Sequence, residues 1–542
     1  MSRLRTVRKA AAAAFFVFCV CTLVEAREAV VARQFIVAAA HPLAAQAGYD
    51  VLARGGSAVD AAIAVQMVLG LVEPESSGIG GGAFLLHWSQ HEQKLRSYDG
   101  RETAPAAARA DRFMRDGRPM GFYDAVVGGR SVGVPGVMRM LELAHARHGR
   151  LPWAELFRPA IEAAEQGFAL SPRLHALLEA ERYLRDEPQA RAIYYGKAVG
   201  ERVVNREYGA TLRAVAARGA SAMYEGEIAA DIVRAVRSHA KAGDLTVADV
   251  AAYQAKEREP ICAPYRVWRV CSMGPPSSGG IGVLQILGIL ERTRFAAAPP
   301  QSAPALHFFS EAGRLAYADR ARYLGDPDFV PVPVARLLSP AYLGKRAGLI
   351  GERSLRRALP GDLEAGTSHL SIVEANGDAV AMTTTIESGF GSRIMVRGFL
   401  LNNELTDFDF VPGSANQVGA AKRPRSSMAP TMVFDAAGRL QLLVGSPGGS
   451  AIINYVAKAL VGVLDWQLDI QQAIELPNFG SRNGPTELES GSRYEALAPA
   501  LAERGHDLRL VQLESGLHGI ERVPGGWRGG ADPRREGVAR GR

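Results

Sequence analysis

At 542 residues, 47% of them hydrophobic and 22% charged, the chain is long enough to bury a large core or two adjoining ones, which excludes disorder for its bulk. The formal charge of +7 does not point to nucleic acid, because the basic residues are spread out and interleaved with acids instead of forming one stripe. No nucleic-acid partner is expected.

Arg3, Arg5, Arg8 and Lys9 precede an apolar run from residue 10 to about residue 24, and Glu25-Ala26 follows. This is the layout of a secretory signal cut near Ala26. A single-pass anchor is the alternative, but the run falls short of the ~20 residues that span a bilayer. No later segment reaches that length. The mature protein is therefore expected to be periplasmic or secreted, with no stable membrane anchor.

From residue 27 to 366 the text is alanine-rich and mostly helical, with helical patterns at 39–54 and 61–71 and a short strand at 84–88. The glycines Gly80, Gly81 and Gly82 lack the following Lys-Ser/Thr of a phosphate-binding loop, so close packing is the better reading. Cys19 and Cys21 leave with the signal, and only Cys262 and Cys271 remain. Alternation around a turn at Arg266-Val267 sets those two opposite each other in a hairpin, where a disulfide and two separate buried thiols are both open. The histidine pairs His87/His91 and His145/His148 have no third ligand nearby, so no metal and no cofactor are expected. Residues 296–304 read as a loop, and 349–366, polar and holding Pro360-Gly361, as an exposed, cleavable linker.

From Thr367 the texture turns strand-rich. Residues 371–386 form two alternating runs around Asn376-Gly377, a strong hairpin signal that folds Thr385 back to within one register step of Thr367. A second pair of runs, 431–434 and 440–444, meets at a turn over 435–439, and amphipathic helices follow at 451–464 and 470–476. The basic tail from Arg534-Arg535 to Arg542 reads as a frayed end. No internal repeat is visible.

Gly366-Thr367-Ser368 stands where the texture changes. A threonine becomes a self-contained catalyst when it begins a chain, because one residue then supplies the hydroxyl and the free α-amine that takes its proton. The reading requires the Gly366–Thr367 bond to break during maturation. Glycine before the break tolerates the unusual backbone angles that let the threonine hydroxyl attack the preceding carbonyl. Taken alone, the same residues would serve as a strand entrance.

Eight motifs stand in order along the chain: Ser77-Gly-Ile-Gly-Gly-Gly82, Asp99-Gly-Arg-Glu-Thr-Ala-Pro105, Pro275-Pro-Ser-Ser-Gly-Gly280, Thr367-Ser-His-Leu-Ser371, Thr383-Thr-Thr-Ile-Glu387, Leu401-Asn-Asn-Glu-Leu-Thr-Asp-Phe408, Lys422-Arg-Pro-Arg-Ser-Ser-Met428 and Gly445-Ser-Pro-Gly-Gly-Ser450. Together they resemble the γ-glutamyltransferases of the N-terminal-nucleophile hydrolase superfamily, nearly end to end after the signal. The resemblance implies an α+β fold, a four-layer αββα sandwich built jointly by two subunits of one precursor. Its parts would be a signal peptide at 1–26, a large subunit at 27–366 and a small one at 367–542, paired as a heterodimer.

The resemblance also implies roles. Thr367 is the nucleophile and its freed amine the base. Thr385, which by itself reads as a β-branched strand residue, is the second threonine that orients it. Gly448 and Gly449, otherwise a turn serving geometry, supply N–H groups to a tetrahedral oxyanion. A γ-glutamyl group carries an α-carboxylate and an α-ammonium on one carbon. Arg101, with Ser426 and Ser427, suits the first. Asp407, with Glu404 and Glu387 beside it, suits the second. Family members carry amide or carboxylate at the last two positions, and a carboxylate trio would need partners in an empty pocket, for which water is expected. Arg101 and Glu102, read without the family, would be a surface ion pair.

One departure stands out. Between Asp407 and Lys422 this chain lacks the longer, tyrosine-bearing lid of some family members, which leaves an open groove and easy access for water or an amino-acid acceptor. Glutathione is the default donor. The rivals are an acylase of the same superfamily that removes a glutaryl-type side chain from a β-lactam nucleus, and a non-catalytic protein that binds γ-glutamyl ligands.

Overall fold

Alternating residues of the central strands belong to different cores. In the strand Gly366–Val373, Leu370 and Ile372 join a helix-covered cluster, whereas Val373 faces the other way. In Ala379–Glu387, Val380 and Met382 join that same cluster and Ala379 and Ala381 join Val373. Period-2 alternation with both faces buried requires a layer on each side. The computed structural model, which describes residues 27–355 and 366–542, supplies both. The fold is α+β, a four-layer αββα sandwich.

The first sheet contains seven antiparallel strands in the order Val538–Gly541, Ile36–Ala39, Gly366–Val373, Ala379–Glu387, Gly82–Ser89, Lys94–Gly100 and Lys256–Arg258. The second, also of seven antiparallel strands, runs Val30–Ala32, Gly526–Ala531, His518–Val523, Leu440–Gly445, Thr431–Phe434, Trp268–Ser272 and Ile261–Tyr265. Ile36, Ala38, Leu86, Trp88, Met432, Leu443 and Ile520 fill the space between the sheets. Each sheet takes strands from both sides of the Gly366–Thr367 bond, so the core between the sheets is shared by the two halves.

Helix α1 (Pro42–Ala53) and helix α2 (Ala58–Val72) cover the first sheet. Every residue of α2 is buried, as its nearly continuous apolar sequence demands, and Ser57 and Asp60 cap its N-terminus reciprocally. Helices α3 (Gly279–Glu291), α4 (Ala303–Tyr323), α5 (Ile452–Leu464) and α6 (Ile470–Glu475) cover the second.

Both expected hairpins form, one turning at 374–378 and the other at 435–439. Cys262 and Cys271 are register partners and are joined, with S–S 2.07 Å. The loop expected at 296–304 narrows to 298–302, because a 3-10 turn occupies Arg294–Ala297 and α4 begins at Ala303 behind its cap Ser302. The signal and residues 356–365 of the linker lie outside the described residues.

The C-terminal tail corrects the reading of a frayed end. Val538–Gly541 is an edge strand paired with Ile36–Ala39, and the Arg542 carbonyl accepts from Arg33 and Gln34 N–H at 2.8 and 2.6 Å. Arg540 and Arg542 are exposed, but Arg534 bonds Glu489 and Asp532, and Arg535 is buried. Charge in the local sequence concealed an acidic partner, Glu489, that comes from another strand.

Candidate active site

The hairpin register places Thr367 opposite Thr385, with a bulge between Gly366 and Thr367. The Thr367 hydroxyl lies 3.5 Å from the Thr385 hydroxyl, which accepts from the Glu387 N–H at 2.7 Å. The Thr367 carbonyl accepts from Arg535 at 3.1 Å, and the Ser368 hydroxyl donates to Glu73 at 2.8 Å. Glu387, where the strand ends, has φ +77°, a left-handed conformation unusual for a non-glycine residue. The glycines Gly80 and Gly81 serve close packing, since a Cβ on either would collide with the Leu400 or Thr385 carbonyl.

One pocket gathers Thr367, Thr385, Arg101, Glu387, Asp407, Ser426, Ser427 and Gly449. Of the remaining expected residues, Glu404 is fully buried beside Arg101, and Gly448 immediately precedes Gly449 in the loop that leads into α5. Gly448 has φ +129° and Gly449 φ +53°. A Cβ on Gly448 would meet the Tyr455 ring at 2.5 Å.

The charges are arranged differently from the sequence expectation. Arg101 is not a free fork awaiting a carboxylate: its guanidinium bonds Glu404 and Asp407, and its Nε donates to the Pro424 carbonyl at 3.1 Å. The Arg101–Glu102 pair is no surface ion pair either, since both are buried, 3.8 Å apart. The partner expected from water is, for two of the three carboxylates, Arg101 itself. Burial works against the Arg101 charge, but Glu404, Asp407, Glu102 and Glu387 overcome it and hold the pKa above its ordinary value.

Burial raises the carboxyl of Glu404 to about 7 against the pull of Arg101. Burial, then Asp407 and Glu404, lift Glu387 well above the usual carboxylate range, and burial with Glu404 does the same for Glu102. So many acids around one guanidinium do not all ionise together.

Arg320 is the residue the sequence did not single out. From the end of α4 it lines the pocket, donating to Ser278 at 2.8 Å and to Ser427 at 2.9 Å. Among the described residues no carboxylate lies within ion-pair distance of it, and burial together with Arg425 lowers it to about 10. Its sequence setting, a charged residue late in a helix, carried no signal.

Ser427 accepts from Arg320 and Ser426 accepts from the Met428 N–H at 3.1 Å, so the proton of each hydroxyl is available to an acceptor. Asp407 is fixed by the fold-back of the segment after it: Asn416 donates to the Asp407 carbonyl at 2.7 Å and accepts from the Arg425 N–H at 2.8 Å.

Among the described residues, two groups carry donor sets that a metal could use. The carboxylates of Glu387, Glu404 and Asp407 are one, and they already surround a guanidinium. His307, Glu311 and His506 are the other. There the rings bond each other at 2.8 Å, the Gly351 carbonyl at 2.9 Å and the Thr486 hydroxyl at 2.7 Å, which accounts for all four ring nitrogens.

The profile of the family described as Gamma-glutamyltranspeptidase matches residues 44–541. A glutathione hydrolase proenzyme of Bacillus subtilis (strain 168) is 34% identical over 551 aligned positions, spanning 95% of this chain and 92% of its own. An Acylase ACY 1 proenzyme of Pseudomonas sp. (strain V22) is 36% identical over 513 positions, spanning 91% and 90%. Among solved structures, a cephalosporin acylase from Bacillus halodurans superposes with a TM-score of 0.86 at 28% identity, covering 95% of this chain and 97% of that one.

Proposed function

The chain belongs to the Gamma-glutamyltranspeptidase family of N-terminal-nucleophile hydrolases, and on that premise we propose that it is an exported, self-processing γ-glutamyltransferase or hydrolase with Thr367 as its nucleophile. The precursor cuts itself between Gly366 and Thr367, and the segments 27–366 and 367–542 remain together as large and small subunits. One observation carries the reading: Thr367 and Thr385 share a pocket with donors suited to a carboxylate and acids suited to an ammonium.

The reaction is a two-step transfer. The Thr367 amine takes the hydroxyl proton as the oxygen attacks the γ-carbonyl of the donor, and the tetrahedral oxyanion is held by N–H groups of Gly448 and Gly449. The C–N bond breaks, the leaving amine departs with a proton, and a γ-glutamyl ester remains on Thr367. Water or an amino acid then gives a proton to the same amine and attacks the ester, the acyl C–O bond to Thr367 breaks, and the amine returns the proton to the Thr367 oxygen. Glutathione is the default donor. Ser426, Ser427 and the positive field of Arg320 and Arg101 hold the α-carboxylate. Asp407, Glu404 and Glu387 face the ammonium.

The Thr385 hydroxyl orients the nucleophile. Thr385→Ala is expected to mature slowly and to lose most of its turnover, on the order of 10- to 100-fold in kcat. Gel densitometry of maturation and steady-state kinetics of the processed fraction measure the two effects separately, and unchanged values in both would remove Thr385 from the site.

The second reading, a glutaryl- or cephalosporin-type acylase, is favoured by the acylases among the chain's relatives and structural neighbours. A glutaryl group has no α-ammonium, so it brings no donor to Glu387 and to the Asp407 oxygen that Arg101 does not bond. γ-Glutamyl anilide is expected to exceed glutaryl anilide in kcat/KM by at least about 100-fold, a preference of the size that unpaired buried polar groups produce. The reverse preference would establish the acylase. A non-catalytic binding protein would remain one uncut chain.

A further inference from the structure

Outside the pocket lining, a second charged cluster meets the backbone of Thr367 and the side chain of Ser368, and the reaction described above does not use it. Glu73 accepts from Ser368, Arg173 donates to Glu75 at 2.6 Å, and Arg535 donates to the Thr367 carbonyl at 3.1 Å. Glu73, Glu75 and Arg535 are buried. Among the described residues Arg535 makes no ion pair within 4 Å, so its direct partner is the nucleophile's own backbone. Space is reserved for it: a Cβ on Gly516 would come within 2.7 Å of the Arg535 stem and 2.5 Å of Pro447, which leads into the Gly448-Gly449 turn.

We infer that Arg535 is a positioning residue for Thr367, anchoring its carbonyl once the preceding bond is cut and keeping the adjacent α-amine in the neutral form that can accept a proton. This rests on the reading of Thr367 as the first residue of the small subunit. Before cleavage Thr367 has a covalent neighbour on each side. Afterwards one covalent neighbour is lost, and chain ends fray unless they are tied down. The guanidinium ties this one down.

The charge matters as much as the hydrogen bond. An unperturbed α-amine titrates near 8, so roughly nine in ten would be protonated and useless as a base at pH 7. A cation bonded to the same residue disfavours the ammonium form. Of the opposing acids around Arg535, Glu75 is pushed up to about 7 by burial against the pull of Arg173, Glu73 accepts from the Ser368 hydroxyl, and Glu514 is the third. On the pocket side, Asp407 and Glu404 are paired with Arg101, Glu387 is raised by burial, and Arg320 adds a second cation. Burial lowers the nearby His369 and His518 imidazoles, which leaves them neutral in the working range.

The test compares Arg535→Gln and Arg535→Lys with the parent, using γ-glutamyl anilide, after N-terminal sequencing has established that Thr367 begins the small subunit in each. In Arg535→Gln the acid limb of the kcat/KM profile is expected to move up by about one pH unit, with about a tenfold loss at pH 7. Arg535→Lys keeps the charge and is expected to return the limb to the parent position while kcat stays below the parent's. A cleaved Arg535→Gln enzyme with an unmoved limb overturns the inference, as does an Arg535→Lys limb displaced as far as that of the glutamine variant. If Arg535→Gln is not processed, the lysine variant decides alone: processing with the parent limb supports the inference, and anything else overturns it. A parent enzyme whose small subunit does not begin at Thr367 would instead defeat the functional reading beneath it.

Discussion

Thr367→Ala is expected to accumulate as one uncut chain and to turn over γ-glutamyl anilide at background, a loss of about 10,000-fold or more in kcat/KM. On the proposed reading the hydroxyl is required twice, first to attack the Gly366 carbonyl and then to attack the donor. The substitution therefore removes maturation and catalysis together. A general folding defect would produce the same gel, so the melting temperature is the discriminating control. Thr367 is buried at the end of a strand whose packing depends on Leu370, Ile372 and Val373, and an alanine there leaves those contacts in place. Thr367→Ser keeps both hydroxyl and amine and is expected to process and to retain measurable activity. Electrophoresis of the parent should give two bands of roughly 37 and 19 kDa, at ~110 Da per residue. Normal cleavage in the alanine variant would falsify the assignment of the nucleophile.

The elements that carry the site were legible where local chemistry is unambiguous. Asn376-Gly377 between two alternating runs fixes a hairpin, the hairpin fixes a register, and the register sets Thr367 against Thr385. The cysteine hairpin followed from the same alternation, though alternation could not decide whether the sulfurs are joined. Charge was the part that sequence could not order. Arg101 stands 303 residues from Glu404 and was assigned to the substrate, yet in the folded chain two of the pocket's own acids hold it. Arg320 and Arg535 had no local mark at all. One lies late in an ordinary helix and the other in a basic tail, and each gains its meaning only from partners 107 and 168 residues away. Periodicity reports which face of an element is buried; it does not report which buried charges meet.

Gly448→Ala is expected to reduce kcat by about 100- to 1,000-fold with KM nearly unchanged. Two physical effects converge on the position. At φ +129° an L-residue is strained, and a Cβ there would meet the Tyr455 ring at 2.5 Å, so the turn before α5 must shift. A shift of about 1 Å is enough to take an N–H out of reach of a developing oxyanion, because such donors act only when fixed in place before charge appears. On the proposed reading the ground-state substrate is held elsewhere, by Asp407, Ser426 and Ser427, which is why KM is expected to stay. Formation and breakdown of the ester both pass through an oxyanion at the same carbon. Both steps should therefore slow together, and the division of product between water and an added amino acid should remain that of the parent. A rise in KM with kcat intact would move the glycine turn from transition-state stabilisation to substrate binding. A changed division of products would mean that the turn serves only one of the two steps, and the other oxyanion would need different donors.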